Sequence, residues 1–253
     1  MKDILDKAKQ WLSATFDTET QSEIQNLIDN NPSDLADRFY KDMEFGTGGM
    51  RGVMGAGTNR INKYTLGRAT QGLSNYLIEN VKKEQLKVVI AYDCRHNSKK
   101  FAKIVADVFS ANNIKVFLFE DLRATPELSF AVRHLGCDAG IVLTASHNPP
   151  EYNGYKVYWA DGGQIVPPND SGIIGNVNAL DFSEIKFSAN ENLIEIIGKE
   201  VDEDFIEASV KNGSLSDKIN RDNLKIVFTS IHGTCIVSVP ETLKRAGYTD
   251  VNI

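Results

Sequence analysis

Residues 87–119 decide the fold class, and they read KVVIAYDCRHNSKKFAKIVADVFSANNIKVFLF. Short runs rich in β-branched and aromatic residues stand at both ends, at 87–93 and 115–119. Between them, residues 98–112 place apolar side chains at the three-to-four spacing of an amphipathic helix. A strand, a helix and a second strand of these lengths predict a βαβ unit with parallel strands.

The same alternation continues on both sides of this unit. Downstream, Thr125-Pro126 begins a predicted helix that runs to residue 135, and AGIVLT at 139–144 predicts a third apolar strand. Upstream, residues 62–83 predict a long amphipathic helix with Asn62 as its N-cap. We therefore expect an α/β fold with a mainly parallel mixed sheet flanked by helices.

The chain divides into three predicted segments. Residues 1–40 are a helical lead-in, residues 41–200 form the α/β domain, and residues 201–253 are the start of a second, similar α/β domain. Two stretches in the α/β domain are predicted to lack regular structure. Residues 44–57 are rich in glycine without a hydrophobic period and predict a loop, and Asn153-Gly154 predicts a type I′ hairpin turn.

The composition is that of an ordinary globular protein with an acidic balance. The 253 residues include 28 Lys and Arg against 34 Asp and Glu, which leaves a formal net charge of −6. This balance argues against binding to nucleic acid or to an anionic membrane. Three widely spaced cysteines indicate reduced thiols rather than disulfides or a zinc site. Without a signal peptide or a membrane-spanning run, the protein is predicted to be cytoplasmic, with a small-molecule partner and no indication of its oligomeric state.

The stretch TASHNPPEYNGYK at 144–156 carries the most chemical information. Its serine, Ser146, follows a buried strand and precedes two prolines, so it lies in a stiff loop at the edge of the sheet where ligands gather. Three interpretations stay open from the residues alone. Acyl transfer lacks the usual Gly-x-Ser-x-Gly turn, phosphoryl transfer would make Ser146 a phosphate carrier, and a structural interpretation makes it part of a turn.

Phosphoryl transfer needs positive charge, and the sequence offers it near the predicted site. His147, Lys156, Arg51 and Arg95 are the candidate cations. The loop GTGGMRG at 46–52 is neither a dinucleotide fingerprint nor a Walker A loop. Its free backbone N–H groups suit an oxyanion, although a flexible linker has the same composition.

Five motifs resemble those of the α-D-phosphohexomutase superfamily, specifically its phosphoglucomutase/phosphomannomutase branch. They are FGTGGMRG at 45–52, DCRHNS at 93–98, TASHNPPEYNGYKVYW at 144–159, DGGQI at 161–165 and IHGT at 231–234. The resemblance implies that Ser146 is a phosphoserine that gives its phosphate to a sugar monophosphate. The bisphosphorylated sugar then turns over and returns its other phosphate to the serine. Residues 155–159 with 163–165 are similar to the phosphopentomutase-like subgroup.

The resemblance also implies roles for individual residues. Arg51 would contact the phosphoserine, and His147 and Lys156 would neutralise the phosphate and assist proton transfer. Mg²⁺ would bind to Ser146 through its phosphate, and a sugar bisphosphate would be the activator. The remaining implied contacts to substrate or phosphate are Thr47, Gly48, Arg95 and Asn148. For Arg95 a structural salt bridge is an equal alternative.

Three motifs of the family do not occur in these 253 residues: the Asp-x-Asp-x-Asp-Arg metal loop, the Gly-Glu-Glu-Ser-Gly-like sugar loop and the phosphate loop of the fourth domain. We therefore expect the N-terminal portion of a Mg²⁺-dependent mutase that interconverts the 1- and 6-phosphates of glucose or mannose, inactive as an isolated chain. A phosphopentomutase is one alternative. A non-catalytic module that binds a sugar phosphate or a partner protein is the other.

Overall fold

The computed structural model describes residues 2–213, 221 and 224–253. Its helices are α1 (Lys2–Gln10), α2 (Thr18–Asn30), α3 (Pro32–Phe39), α4 (Lys63–Asn80), α5 (Ser98–Ala111), α6 (Thr125–His134), α7 (Asn169–Ala179), α8 (Lys199–Asn212) and α9 (Ser238–Arg245). Its strands are β1 (Gly49–Val53), β2 (Lys87–Tyr92), β3 (Lys115–Phe119), β4 (Ala139–Leu143), β5 (Tyr152–Trp159), β6 (Ile194–Ile197), β7 (Lys225–Val227) and β8 (Asp250–Asn252). Short 3₁₀ turns lie at Phe182–Glu184 and Glu191–Leu193.

Six of these strands form one sheet in the order β1-β5-β4-β2-β3-β6. β4, β2, β3 and β6 run parallel, whereas β5 is antiparallel to both of its neighbours, β4 and β1. The predicted α/β class with a mainly parallel mixed sheet is confirmed. The sequence pattern does not predict β6, because its four residues are too few to show a period and pair on one side only.

Helices cover both faces of the sheet. β2 shows the division most plainly, because Val88 and Ile90 belong to one apolar cluster while Val89 and Ala91 belong to another. Alternate side chains of a strand point to opposite faces, so one strand serves both layers. Residues of α4, α5 and α7 complete the first cluster, and residues of α6 and α8 complete the second.

The lead-in helices α1 to α3 pack against the start of α4 through aromatic side chains. Trp11 stacks on Phe16 with ring centroids 4.4 Å apart, and both rings contact Tyr64 of α4. The backbone N–H of Asp17 donates a hydrogen bond of 2.6 Å to the Tyr64 hydroxyl. The helices predicted within residues 1–40 are therefore present, and their apolar faces have a partner.

The prediction that residues 44–57 form a loop is wrong for Gly49–Val53, which form the edge strand β1. Its first residue has a φ of 126°, and a Cβ atom there would collide with the carbonyl oxygen of Tyr155 in β5. Glycine is needed at this position for the close approach of two backbones. A composition that is typical of a loop thus belongs to a tightly packed strand.

The predicted hairpin turn at Asn153-Gly154 is also wrong, because both residues lie inside β5. Asn153 is fully buried. A Cβ atom on Gly154 would lie 2.6 Å from the carbonyl oxygen of Thr144 and 2.8 Å from that of Met50. Glycine is present here because β1, β5 and the end of β4 meet closely, and not because the chain turns.

The C-terminal segment contains a small parallel pair of strands, β7 and β8, with α9 between them in sequence. The sequence pattern predicts a strand over residues 225–229 and a helix over residues 239–246, and β7 and α9 lie at these places. The domain boundary at residue 200 stays a prediction, since α8 packs against α6 of the first sheet. Among the described residues, no helix is long and apolar enough to cross a membrane.

A buried cluster of charges joins α6 to α8. Arg123, which precedes α6, contacts Asp202 of α8 through Nε and Oδ1 at 2.6 Å and through Nη2 and Oδ2 at 2.8 Å. Glu127 of α6 is 1% exposed, and its carboxyl oxygens accept no hydrogen bond in the described part of the chain. In its protonated form it can donate a hydrogen bond to Asp202. Burial, together with the nearby Asp202 carboxylate, raises the pKa of Glu127 to about 8. The folded protein therefore holds Glu127 in its neutral form at neutral pH.

Replacing Glu127 with Gln is expected to remove a pH dependence of stability. The folded protein keeps the Glu127 proton up to about pH 8, whereas the unfolded chain releases it near the ordinary pKa of 4.5. Unfolding thus releases a proton between these values, and the free energy of unfolding of the wild type falls as the pH rises through this window. Urea unfolding at pH 5.5 and at pH 8 measures this effect. Between these two pH values, the free energy of unfolding of the wild type should fall by about 1 kcal/mol or more relative to that of Glu127→Gln.

The control for this comparison is Glu207→Gln, at an exposed position of α8. It should follow the wild type at both pH values. Parallel pH dependence of Glu127→Gln and the wild type would contradict the assignment of a buried, neutral Glu127.

Candidate functional site

The serine loop, residues 144–151, connects the carboxyl end of β4 to β5. The Thr144 N–H donates to the carbonyl of Gly154 at 3.2 Å, and the Ser146 N–H donates to Thr144 Oγ1 at 3.0 Å. Ser146 itself is exposed and has a φ of 60°. A residue other than glycine is uncommon in this left-handed region, and such residues concentrate at functional sites. The fold thus presents the serine hydroxyl at the ligand-binding edge of the sheet.

His147 lies beside the serine hydroxyl. Its Nδ1 atom is 3.3 Å from Ser146 Oγ, which is within the reach of a hydrogen bond. The sequence alone suggests that an adjacent histidine is poorly placed for proton transfer with its serine. The left-handed conformation of Ser146 instead brings the two side chains together.

Arg95, which follows β2, holds the serine loop through its backbone. Nη1 donates to the carbonyl oxygens of Pro149 at 2.9 Å and Tyr152 at 3.2 Å. Nη2 donates to those of Ser146 at 2.8 Å and Asn148 at 2.7 Å. The guanidinium is thereby occupied by four peptide groups. Of the two roles open to Arg95, this geometry favours the brace, and its contact with phosphate stays a prediction.

Arg51 and Lys156 reach the same face of the sheet from two antiparallel strands. Arg51 of β1 lies opposite Gly154 of β5, and Lys156, two residues further along β5, lies opposite Val142 of β4. Opposed residues, and residues two apart on a strand, share a face. Neither charged group has an ion pair or a side-chain hydrogen bond within residues 2–213, 221 and 224–253. They are therefore available to an anion.

The structure does not bring Thr47 and Gly48 to the serine. They form the turn at the far end of β1, where the Gly48 carbonyl accepts from the N–H of Val157 at 3.1 Å. Val157 pairs with Ile141, five positions before the serine. The Thr47 hydroxyl donates to Asp170 Oδ2 at 2.8 Å. The turn thus lies at the end of β1 away from the serine loop, and the predicted contact of Thr47 and Gly48 with substrate or phosphate stays a prediction.

Asn148 is half-buried within the serine loop. Its N–H donates to the carbonyl of Ala145 at 3.1 Å, and its carbonyl accepts from Arg95. Its side chain has no hydrogen-bond partner in the part of the chain that the structure describes. A contact between this side chain and substrate stays a prediction.

Two further residues near the site are not identified by the sequence pattern. Asn153 is misread as a turn, and Ser98, predicted only as the start of a helix, is a buried neighbour of Asp93. One sequence feature could have identified this neighbourhood. Asp93 and Arg95 directly follow a strand that is parallel to the strand before Ser146. Loops at the carboxyl ends of adjacent parallel strands meet.

The described residues do not form a complete magnesium site. No group of three or more His, Cys, Asp or Glu side chains in these ranges could hold a metal ion. The carboxylate of Asp93 is engaged by Arg95 and Ser98. Mg²⁺ prefers several oxygen ligands, and a phosphate on Ser146 would supply only part of such a set.

Comparisons with known proteins point to one family. A family profile described as phosphoglucomutase/phosphomannomutase, alpha/beta/alpha domain I, matches residues 42–184. The chain is 40% identical over 227 residues to a phosphoglucomutase of Staphylococcus aureus (strain N315), covering 87% of this chain and 40% of that protein. It is 38% identical over 217 residues to the phosphoglucomutase of Staphylococcus haemolyticus (strain JCSC1435), covering 85% and 39%. The chain thus spans about two fifths of the length of these relatives.

A solved structure shares the fold. The structure of a putative phosphomannomutase from Thermus thermophilus superposes with a TM-score of 0.71 at 28% identity. The superposition covers 84% of this chain and 45% of that one. The arrangement of strands around the serine loop therefore belongs to a known architecture.

Replacing Arg95 with Lys is expected to loosen the serine loop. An ammonium group cannot reproduce the planar fork that holds four carbonyls. A hydrogen bond to a charged group contributes about 1.5–3 kcal/mol to stability, so the loss of one such bond is enough to loosen the loop. Amide hydrogen exchange of residues 145–152, followed by mass spectrometry, should speed up by roughly tenfold or more. Arg133→Lys, on the exposed end of α6, is the control; unchanged exchange in Arg95→Lys would contradict the brace.

Proposed function

Because this chain belongs to the phosphoglucomutase/phosphomannomutase family, we propose that it is the serine-bearing part of a phosphosugar mutase. One observation carries the proposal. The exposed Ser146 hydroxyl lies on a braced loop, at the end of a sheet where Arg51 and Lys156 share one face without acidic partners among the described residues. These features suit a serine that accepts and gives a phosphoryl group.

The proposed reaction has two halves that use the same groups. In the first, a hydroxyl oxygen of the sugar monophosphate forms a P–O bond as the bond between phosphorus and Ser146 Oγ breaks. The sugar hydroxyl proton passes to Lys156, and the departing serine oxygen takes a proton from His147. In the second half, Ser146 Oγ accepts the other phosphoryl group of the bisphosphorylated sugar, and both protons return. The 3.3 Å contact of His147 Nδ1 with Ser146 Oγ supports this assignment.

Electrostatics supports phosphoryl transfer at this serine. A phosphoserine carries about −1.5 to −2 charges, and its transferring group spreads that charge over three oxygens. The chain as a whole has a net charge of −6, so it offers no general attraction for an anion. Arg51 would supply the local positive charge throughout, and Lys156, neutral before transfer, would add to it once it has taken the sugar hydroxyl proton. The main task of the protein is to hold these groups in place.

We further propose Mg²⁺ as the metal and a sugar bisphosphate as the activator. The phosphate on Ser146 would be one ligand of the ion, which would neutralise phosphate oxygens when bound. The described residues hold no group of three or more His, Cys, Asp or Glu side chains that could complete its coordination.

Glucose 1-phosphate and glucose 6-phosphate are the proposed substrates, because the two staphylococcal relatives are phosphoglucomutases. Mannose phosphates come next, in view of the Thermus thermophilus structure. The similarity does not favour a phosphopentomutase or a non-catalytic module. We propose a cytoplasmic location and no nucleic-acid or membrane partner, in keeping with the acidic balance.

Replacing Ser146 with Ala tests the function. In the natural gene product that carries these residues, conversion of glucose 1-phosphate to glucose 6-phosphate with glucose 1,6-bisphosphate as activator should fall by roughly 10³-fold or more. Ser188→Ala, at an exposed position without a described contact, should keep full turnover. Undiminished turnover in Ser146→Ala would contradict the proposal. Mannose 1-phosphate and ribose 1-phosphate in the same assay would rank the sugars.

A further inference from the structure

Asn153 of β5 is fully buried, and its side-chain amide makes three hydrogen bonds close to the start of the serine loop. Its Nδ2 atom donates to the carbonyl of His96 at 3.1 Å and to Ser98 Oγ at 3.0 Å. Its Oδ1 atom accepts from the N–H of Gly154 at 2.8 Å. Burying an amide is costly unless such partners are present, so the side chain is fixed in one orientation. It ties β5 to the segment that follows β2.

Ser98 links Asn153 to Asp93 through two hydrogen bonds of its hydroxyl group. Ser98 is 1% exposed, and its hydroxyl donates to Asp93 Oδ1 at 2.8 Å. A hydroxyl has one proton to donate and lone pairs that accept. Because Asn153 is the donor to Ser98, the single hydroxyl proton is directed at Asp93.

Asp93 in turn fixes both ends of Arg95. Asp93 Oδ1 accepts a hydrogen bond from the Arg95 backbone N–H at 3.0 Å. Asp93 Oδ2 lies 3.2 Å from Arg95 Nε as an ion pair, and Nε has no hydrogen bond in the described part of the chain. With Nε against Asp93, the two Nη atoms point to the carbonyls of the serine loop. The series Asn153, Ser98, Asp93 and Arg95 therefore runs without a break from a buried strand to the carbonyl of Ser146. The hydrogen bonds from Asn153 to Ser98, from Ser98 to Asp93 and from the Arg95 backbone N–H to Asp93 strengthen one another in a low-dielectric interior.

We infer that Asn153 and Ser98 are positioning residues, which set the place of the Ser146 hydroxyl by orienting Asp93 and Arg95. The inference rests on the proposed phosphoryl transfer at Ser146. Neither residue touches the reacting atoms. In-line transfer requires the serine oxygen to be placed closely, and a shift of about 1 Å can cost 10²-fold in rate. A purely structural role would lower stability without a selective effect on that rate.

Ser98→Ala is the main test variant, because it removes both hydrogen bonds of the hydroxyl with the smallest change in volume. Ser98→Thr keeps the hydroxyl and is the rescue variant. Ser110→Ala is the matched control, since Ser110 is a fully buried serine near the other end of α5. Its hydroxyl donates to the carbonyl of Asp107 at 3.0 Å and accepts from the N–H of Asn190 at 3.2 Å.

The first measurement is the rate at which Ser146 takes phosphate from glucose 1,6-bisphosphate in a single turnover. We expect Ser98→Ala to lower the maximal rate about tenfold or more, with little change in the half-saturating concentration, and Ser98→Thr to recover much of it. Ser110→Ala should transfer at the wild-type rate. If the wild type is phosphorylated and Ser98→Ala takes up phosphate at the same rate as Ser110→Ala, the inference is overturned.

The second measurement does not depend on the proposed function. Amide hydrogen exchange of residues 145–152 should be faster in Ser98→Ala, and in Asn153→Ala if that variant folds, than in Ser110→Ala. If the wild type takes no phosphate, the proposed function fails, but the exchange rates still decide whether Ser98 positions the loop. Equal exchange in Ser98→Ala and Ser110→Ala would overturn the inference on its own.

Discussion

The contact between the Arg95 guanidinium and four carbonyls of residues 146–152 is the interaction on which this site depends. A loop that leaves a buried strand and turns through two prolines exposes several peptide oxygens on one side. A single planar cation satisfies them together and stiffens the loop. Ser146 can then keep a left-handed backbone, which would be costly in a free loop, and its hydroxyl stays beside His147.

The topology of the sheet explains why the cations lie near this loop. The parallel strands β2 and β4 bring Asp93, Arg95 and Ser146 to one edge, as expected for an α/β fold. β5 runs antiparallel to β4 and to the edge strand β1, and Lys156 of β5 and Arg51 of β1 lie on the face of the sheet that also carries Val142 of β4. The arginine that braces the loop, Arg95, thus follows a different strand from those that carry Arg51 and Lys156. The guanidinium that holds the loop therefore need not also bind the phosphate.

Much of this could be predicted from sequence, because β2 to β4 and the helices around them show clear hydrophobic periods. The serine, His147, Lys156 and Arg51 could be named as candidates, although their roles stay predictions. The errors share one physical cause. Glycine permits loops, but it also permits close backbone approach, so composition alone cannot separate the strand at Gly49 from a linker. Spacing within one motif also does not show where its residues lie in the fold: Thr47 lies at the end of β1 away from the serine loop, and its hydroxyl donates to Asp170.

The central claim is that Ser146 is the residue that carries phosphate. Incubation of the natural gene product with glucose 1,6-bisphosphate, followed by peptide mass spectrometry, tests it most directly. We expect one phosphate on the peptide that contains residues 144–156, localised to Ser146, and its loss when glucose 1-phosphate is then added. A phosphate at another residue, or an unmodified Ser146 in a protein that turns over the substrate, would show that Ser146 does not carry the phosphate.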